Sequence, residues 1–314
     1  MGKTRIPYAT DTWDPVTGCP PDQFNAVCQA RCWAARMARQ RPATHGGLGS
    51  GPCPDCDGRG YYLCSCYDGP SNHKGDPCRR CKGKGTLPAI MPVPFSRLVL
   101  HPDRLDQPLH WRKPRVVLVA SRGDLFHDQV PDRFICDVVT AMECAPQHTY
   151  LLCTKRIARA RQLLSLFMDG LSRPNFAEEH ANVWLLASVC NQEMADRMIP
   201  ELLATPVAHR GVSYEPALGP VDFSYHLSVG EHCTGNTIDW VVAGCVSGTN
   251  RRPAPGEWFD ALRAQCKRAG VPFYVKQQAL HRAAEVPRED GTGKLVRFPP
   301  QPGELPWRLP AKGA

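Results

Sequence analysis

VVLVASRGDLFHDQVPDRFICDVVTAMECAPQHTYLLCT (116–154) reads as strand, helix, strand. VVLVAS (116–121) and TYLLCT (149–154) are short, apolar and β-branched, as strands covered on both faces are, and PDRFICDVVTAMECA (131–145) between them carries a helix pattern. The alternation continues with VWLLASV (183–189), GVSYE (211–215), WVVAGC (240–245) and PFYVKQ (272–277). Helix patterns also fill KRIARARQLLSLFMDGL (155–171) and EWFDALRAQCKRAG (257–270), the latter closed by a glycine. Repeated strand–helix units predict a parallel sheet in an α/β fold. A doubly wound sheet and a TIM-type barrel both satisfy the pattern. A further short strand around Ala9–Trp13, ahead of the first cysteines, favours a full or partial (β/α) barrel. Either architecture puts functional residues at the carboxyl ends of the strands. No glycine-rich phosphate loop follows the early strands, so a Rossmann or P-loop reading has no motif.

The chain divides by composition. Residues 1–41 hold the first strand, a cysteine loop and a helix-forming stretch; 42–94 are dense in Gly, Pro, Cys and Lys without core periodicity and read as an insert; 95–285 carry the rest of the barrel; 286–314 form a proline-rich tail. Hydrophobic residues at 42% and charged residues at 22% mark a globular chain, and 314 residues suffice for one large domain with a small module. The formal charge of +8 favours polyanionic partners, DNA or RNA among them. No secretory leader opens the sequence and no run approaches a membrane span, so a soluble, cytoplasmic protein without a membrane partner is expected.

Of sixteen cysteines, nine lie between Cys19 and Cys81, and such clustering in a long chain without a signal peptide points to metal. The other seven (Cys136, Cys144, Cys153, Cys190, Cys233, Cys245, Cys266) stand singly in apolar segments and are expected mostly as small core residues. In the insert, Cys53-Pro-Asp-Cys56-Asp-Gly-Arg-Gly and Cys78-Arg-Arg-Cys81-Lys-Gly-Lys-Gly are two CxxCxGxG units, with 21 residues between their CxxC pairs. Two tight turns with two thiolates each complete a tetrahedral zinc site, and the insert resembles DnaJ-type zinc domains. Cys64 and Cys66, with His73, depart from a four-cysteine site and are candidate further ligands. Zinc here supplies folding energy to a segment too polar to fold alone. Cys19, Cys28 and Cys32 form a different set: three cysteines between the first strand and a helix, with no evident fourth. Three thiolates suit an iron–sulfur cluster with one open iron; a zinc site completed by His45 or an insert cysteine, and plain core cysteines, are the alternatives.

DTWDPVTGC (11–19), CQARCWAARMARQR (28–41), RLVLHPDRLDQPLHWRKPRVVLVASRGDLFHDQVPDRFI (97–135), APQHTYLLCTKR (145–156), NVWLLASVCNQEMADRMIP (182–200), VSYEPALGPVDF (212–223), IDWVVAGCVSG (238–248) and QCKRAGVPFYVKQ (265–277) together resemble the phage-borne three-cysteine-motif family, itself similar to radical SAM enzymes. The resemblance implies an incomplete (β/α) barrel in which Cys19, Cys28 and Cys32 hold a [4Fe-4S] cluster and S-adenosyl-L-methionine binds at the open iron. It further implies an external electron donor and reductive cleavage of the sulfonium to modify or repair a substrate, for which a nucleic acid base is the leading class. In an infected or lysogenic host the protein would be cytoplasmic. The spacing here, C-x8-C-x3-C, departs from the usual C-x3-C-x2-C, and Cys190 and Val246 stand where the resemblance leads one to expect Glu.

At the strand ends lie Ser121, Asp124 and His127; Thr154, Lys155 and Arg156; Ser188, Asn191 and Gln192; Ser213 and Glu215; Ser247; and Lys276 and Gln278. Ser121, Asp124, Thr154, Ser188 and Ser213 are the candidates for binding adenosylmethionine. Asp124, His127, Lys155, Glu215 and Lys276 are the catalytic candidates, with a structural Glu215–Lys276 pair and a capping or core His127 as the plain readings. A different class remains open: a non-enzymatic zinc or iron–sulfur protein that binds nucleic acid or acts as an adaptor to a protein partner. A zinc-only hydrolase finds no HExxH motif.

Overall fold

The computed structural model describes Thr4 and residues 6–20, 61–63, 74–77, 95–170, 180–229, 236–246, 254–280, 294–297 and 300–307. In chain order the strands are β1 Asp11–Trp13, β2 Val16–Thr17, β3 Tyr61–Leu63, β4 Lys74–Pro77, β5 Val99–Leu100, β6 Val116–Val119, β7 Thr149–Thr154, β8 Val183–Val189, β9 His209–Tyr214, β10 Trp240–Gly244, β11 Phe273–Leu280 and β12 Lys294–Arg297. The α-helices are α1 Asp132–Glu143, α2 Ile157–Gly170, α3 Gln192–Leu203, α4 Ser224–Val229 and α5 Gly256–Arg268.

The main sheet runs β1-β6-β7-β8-β9-β10-β11-β12, with the first seven strands parallel and β12 antiparallel to β11. The order never reverses. Each right-handed crossover therefore steps the same way and lays its helix on the same face, and the doubly wound alternative falls. The sheet curls into a half-barrel, compatible with the partial barrel expected from the sequence. The segment read as a proline-rich tail supplies the edge strand β12 and a stretch, 300–307, that packs on the inner face.

Strand alternation divides the core in two. Val117, Val119, Tyr150, Leu152, Leu185, Ala187, Val212, Tyr214, Val241 and Val275 face the helices. On α3, Met194, Ala195, Met198, Ile199, Leu202 and Leu203 form the matching apolar stripe, and Asn191 Oδ1 caps the helix by accepting from Met194 N at 3.0 Å. The opposite, inner face collects Val116, Leu118, Leu151, Trp184, Leu186, Trp240, Val242 and Tyr274 with Tyr8 and Ala9. At the amino end of the strands this inner core is aromatic: Trp307 lies edge-on to Trp184 and Trp240, with centroids at 5.1 and 4.7 Å, and donates from Nε1 to Tyr8 O at 3.3 Å. The half-barrel thus has an apolar floor at one end and a polar mouth at the other.

Among the described residues, no helix is long and apolar enough to cross a membrane. Of the singly placed cysteines, Cys190, Cys245 and Cys266 are buried as expected, whereas Cys136 and Cys153 are half-buried and Cys144, at the end of α1, is exposed. Cys233 lies outside the described residues.

The buried His148 gives the fold an acid sensitivity. Its ring stands edge-on to Trp111 and Tyr150 and its Nε2 lies 3.1 Å from Pro108 O. Burial holds its pKa below the ordinary imidazole value, and Arg115 acts in the same direction. The unfolded chain therefore binds a proton that the native state refuses, so this contribution is present above a pH of about 6.5 and is lost as pH falls toward the lowered native value. His101, pushed down to about 4 chiefly by burial, acts with the same sign. Urea midpoints should decline from pH 7.5 to 5, and His148→Gln should make that decline shallower. An equal or steeper decline in the variant counts against this assignment.

Candidate functional site

The mouth is built from three linked networks at the carboxyl ends of the strands. The first fastens the segment carrying Cys19. The buried Asp14, just after β1, accepts from Ser121 Oγ at 2.9 Å, Arg122 N at 3.1 Å, and Arg122 Nε and Nη2 at 2.9 and 2.7 Å. Ala120 reaches this geometry with φ of 50°, a left-handed conformation costing a non-glycine residue about 1 kcal/mol. Beyond it Gly18 and Gly123 form a parallel bridge, and Gly18 N donates to Arg122 O at 2.8 Å. A Cβ on Gly123 would stand 3.0 Å from Val16 O, so this close backbone approach requires glycine. Cys19 N then donates to Phe95 O at 2.8 Å. Cys19 is thereby fixed beside the ends of β1 and β6.

The second network centres on Asp124, whose carboxylate accepts from Thr154 Oγ1 at 2.7 Å, Arg156 Nη1 at 2.8 Å, Phe126 N at 3.0 Å and Lys155 N at 3.3 Å. The Arg156 and Asp124 side chains are only 2% and 8% exposed. His127, next along the loop, is buried; its Nδ1 accepts from Gln129 N at 3.1 Å.

The third network lines the inner face. Lys155 Nζ donates to Ser188 Oγ at 2.9 Å. Ser188 and Ser213 are register partners on β8 and β9, and Ser213 hydrogen-bonds the Cys153 side chain. Lys276 Nζ pairs with Glu215 Oε1 and lies 5.8 Å from the centroid of the Tyr8 ring. Gln277 Nε2 donates to Glu215 Oε1 at 3.3 Å and to Cys245 O at 3.0 Å. Burial pushes the Tyr8 phenol well above its usual pKa, with Glu215 and Cys153 adding to the rise. Burial likewise raises the Cys153 thiol, although Lys155 and Ser213 pull it back.

The strand-end residues singled out from the sequence therefore separate. Lys155, Ser188, Ser213, Glu215 and Lys276 meet on the inner face. Ser121 and Thr154 direct their hydroxyl donors to Asp14 and Asp124, Asp124 is saturated by four donors, and His127 holds a turn, so these four secure the loops around the mouth. Asp14, Tyr8, Cys153 and Gln277 belong to the site without having been picked out. Alternation along TYLLCT places Cys153 on the same face as Leu151 and was the available signal. Gln277 enters through a register slip between Ala243 and Gly244, which sets it rather than Lys276 opposite Gly244. Cys28, Cys32, Cys53, Cys56, Cys64, Cys66, Cys78 and Cys81 lie outside the described residues, and no group of three or more metal-ligating side chains occurs among the described ones.

Fold and mouth together define a (β/α) half-barrel protein with a mixed-charge site on its concave face. Residues 63–296, more than half of the chain, match the family described as protein of unknown function (DUF5131), and the chain belongs to that family. Comparison with curated proteins and with solved structures gives no match.

Proposed function

We propose that the mouth belongs to an iron–sulfur enzyme that reductively cleaves S-adenosyl-L-methionine and modifies a substrate, a nucleic acid base being the leading class. The observation that carries this reading is the placement of Cys19: the first cysteine of the triplet is fixed by the Gly18–Gly123 bridge and by its N–H bond to Phe95 O at the same, carboxyl end of the sheet as the polar mouth. The donor chemistry fits, since three thiolates can hold a cubane and leave one iron open, and Cys19, Cys28 and Cys32 would be the ligands. When bound, the cluster would supply an electron to the sulfonium, drawn from a protein or small-molecule donor.

The chain's own residues do the rest. Lys155, Ser188 and Ser213 offer an ammonium and two hydroxyls to a polar ligand, and Lys276 with Gln277 holds Glu215 in one orientation at the rim. The floor of Leu186, Val242, Trp240 and Tyr274 excludes water from below, which strengthens polar contacts above it.

The insert is read as a zinc module. Its support is the β3–β4 hairpin, in which Tyr61 pairs with Pro77 and Leu63 with Lys74. That register sets Tyr61, which follows the first CxxCxGxG unit in the sequence, opposite Pro77, which precedes Cys78.

Anaerobically purified protein should absorb near 400 nm and contain iron, and adenosylmethionine should change its electron paramagnetic resonance spectrum. Replacing Cys19, Cys28 and Cys32 together with alanine should remove iron and cleavage of adenosylmethionine while leaving insert zinc. Retained iron in a folded triple variant would sink the ligand assignment. Colourless protein containing zinc alone would favour the nucleic-acid-binding or adaptor reading instead.

A further inference from the structure

Polar side chains of β7, β8, β9 and β11, with the residues that directly follow β7 and β9, meet above the apolar floor, and their chemistry is uneven. Lys155, Ser188 and Ser213 stand in a continuous line: Lys155 Nζ donates to Ser188 Oγ at 2.9 Å, Ser188 Oγ donates weakly to Glu215 O at 3.5 Å, and Ser213, beside Ser188 in register, hydrogen-bonds the Cys153 side chain, so both hydroxyls can turn to a ligand by giving up a long or a weak sulfur bond. The two carboxylates nearby are already engaged: Glu215 with Lys276 and Gln277, and Asp124 with Arg156, Thr154 and two backbone N–H groups.

We propose that Lys155, Ser188 and Ser213 form an oxyanion seat that takes the phosphate or carboxylate group of a small anionic ligand. An ammonium with two hydroxyls supplies one formal charge and several donors within reach of one compact group, the combination that binds an oxyanion as a point charge plus hydrogen bonds. Engagement of Glu215 and Asp124 by their own cations removes the repulsion that would oppose an anion there. Cys153, hydrogen-bonded to Ser213, stays a protonated thiol under its burial and so adds a weak donor in place of a negative charge. Leu151, Leu186 and Val242 close the seat from below, so water competes less for these donors than it would on an open surface.

The inference rests on the reading of the mouth as a ligand site but on no property of the cluster, and it is testable on the full chain without iron. Sodium phosphate should raise the thermal midpoint above that in sodium chloride of equal ionic strength, and the ³¹P resonance of phosphate should broaden. Lys155→Met should weaken phosphate binding by at least about tenfold, and Ser188→Ala with Ser213→Ala should do the same. Lys155→Arg should recover much of the loss, and Lys113→Met, on the exposed turn before β6, should change nothing. Competition by adenosylmethionine would identify an amino-acid carboxylate as the occupant, and competition by a nucleoside 5′-monophosphate but not its nucleoside would identify a substrate phosphate; either supports the seat. Equal phosphate affinity in the native protein and in folded Lys155→Met, or no response to phosphate beyond chloride, overturns it. Protein that lacks iron yet passes this test would lose the enzymatic reading and keep the seat.

Discussion

Asp124→Ala is expected to lower the unfolding free energy by about 3–5 kcal/mol, because it strips a buried guanidinium of its carboxylate. Arg156 is 2% exposed and cannot turn to water without opening the junction between β6 and β7. Thr154 Oγ1, Phe126 N and Lys155 N lose the same acceptor, each a donor with little access to solvent. Asp124→Asn keeps one acceptor oxygen and should cost roughly half as much. In the double variant Asp124→Ala, Arg156→Met the orphaned charge is gone, and part of the loss should return. Chemical denaturation of the four proteins measures this directly. The exposed i,i+4 pair Arg133–Asp137, with N···O of 3.2 Å, is the control: Arg133→Ala should fall within about 0.5 kcal/mol of the parent. A loss below about 1 kcal/mol for Asp124→Ala would mean that something other than this ion pair closes the mouth between the two strands.

Much of this architecture was legible because strands buried on both faces leave little freedom in composition. VWLLASV is buried along its whole length between inner and outer cores, and its β-branched, apolar run says as much. The half-barrel was harder to read than the α/β class. The short strand read around Ala9–Trp13 is met by β1 at Asp11–Trp13, but β12, four residues long, is too short for periodicity to declare it and joins through antiparallel pairing that no βα rhythm announces. At the mouth, the sequence located the strand ends but could not say toward which neighbour each side chain turns. Thr154 and Lys155 are adjacent, yet one donates to Asp124 and the other reaches Ser188, because alternation sends them to opposite sides of the sheet. The place of Tyr8 was illegible for another reason: its contacts with Trp240 and Tyr274 join segments far apart in the chain.

Trp240→Ala should match the Asp124 variant in magnitude by a different route, with an expected loss of about 3–5 kcal/mol for an aromatic side chain deleted from a packed core. Trp240 is fully buried at the amino end of β10, on the inner face, where Tyr8 and Trp307 stand edge-on to it at centroid distances of 5.3 and 4.7 Å. Its indole Nε1 donates to Glu304 O at 2.9 Å, tying the C-terminal stretch to the floor. The alanine variant therefore loses dispersion contacts, opens a cavity between the rings of Tyr8 and Trp307 and leaves the Glu304 carbonyl without that donor. Trp240→Phe separates these effects: most of the apolar bulk remains while the N–H is gone, and about 1–2 kcal/mol should be lost. Trp307→Ala should cost less than Trp240→Ala, since Trp307 is only half-buried and its seat can partly collapse. Denaturation midpoints rank the three variants, and limited proteolysis reads out residues 300–307, whose release should follow the same order. The consequence reaches the mouth, because β10 lies between β9, which leads into Glu215, and β11, which carries Lys276. If Trp240→Ala leaves stability within about 1 kcal/mol of the parent while 300–307 is released, the aromatic floor is a covering of the half-barrel, and the strands hold the Glu215–Lys276 pair without it.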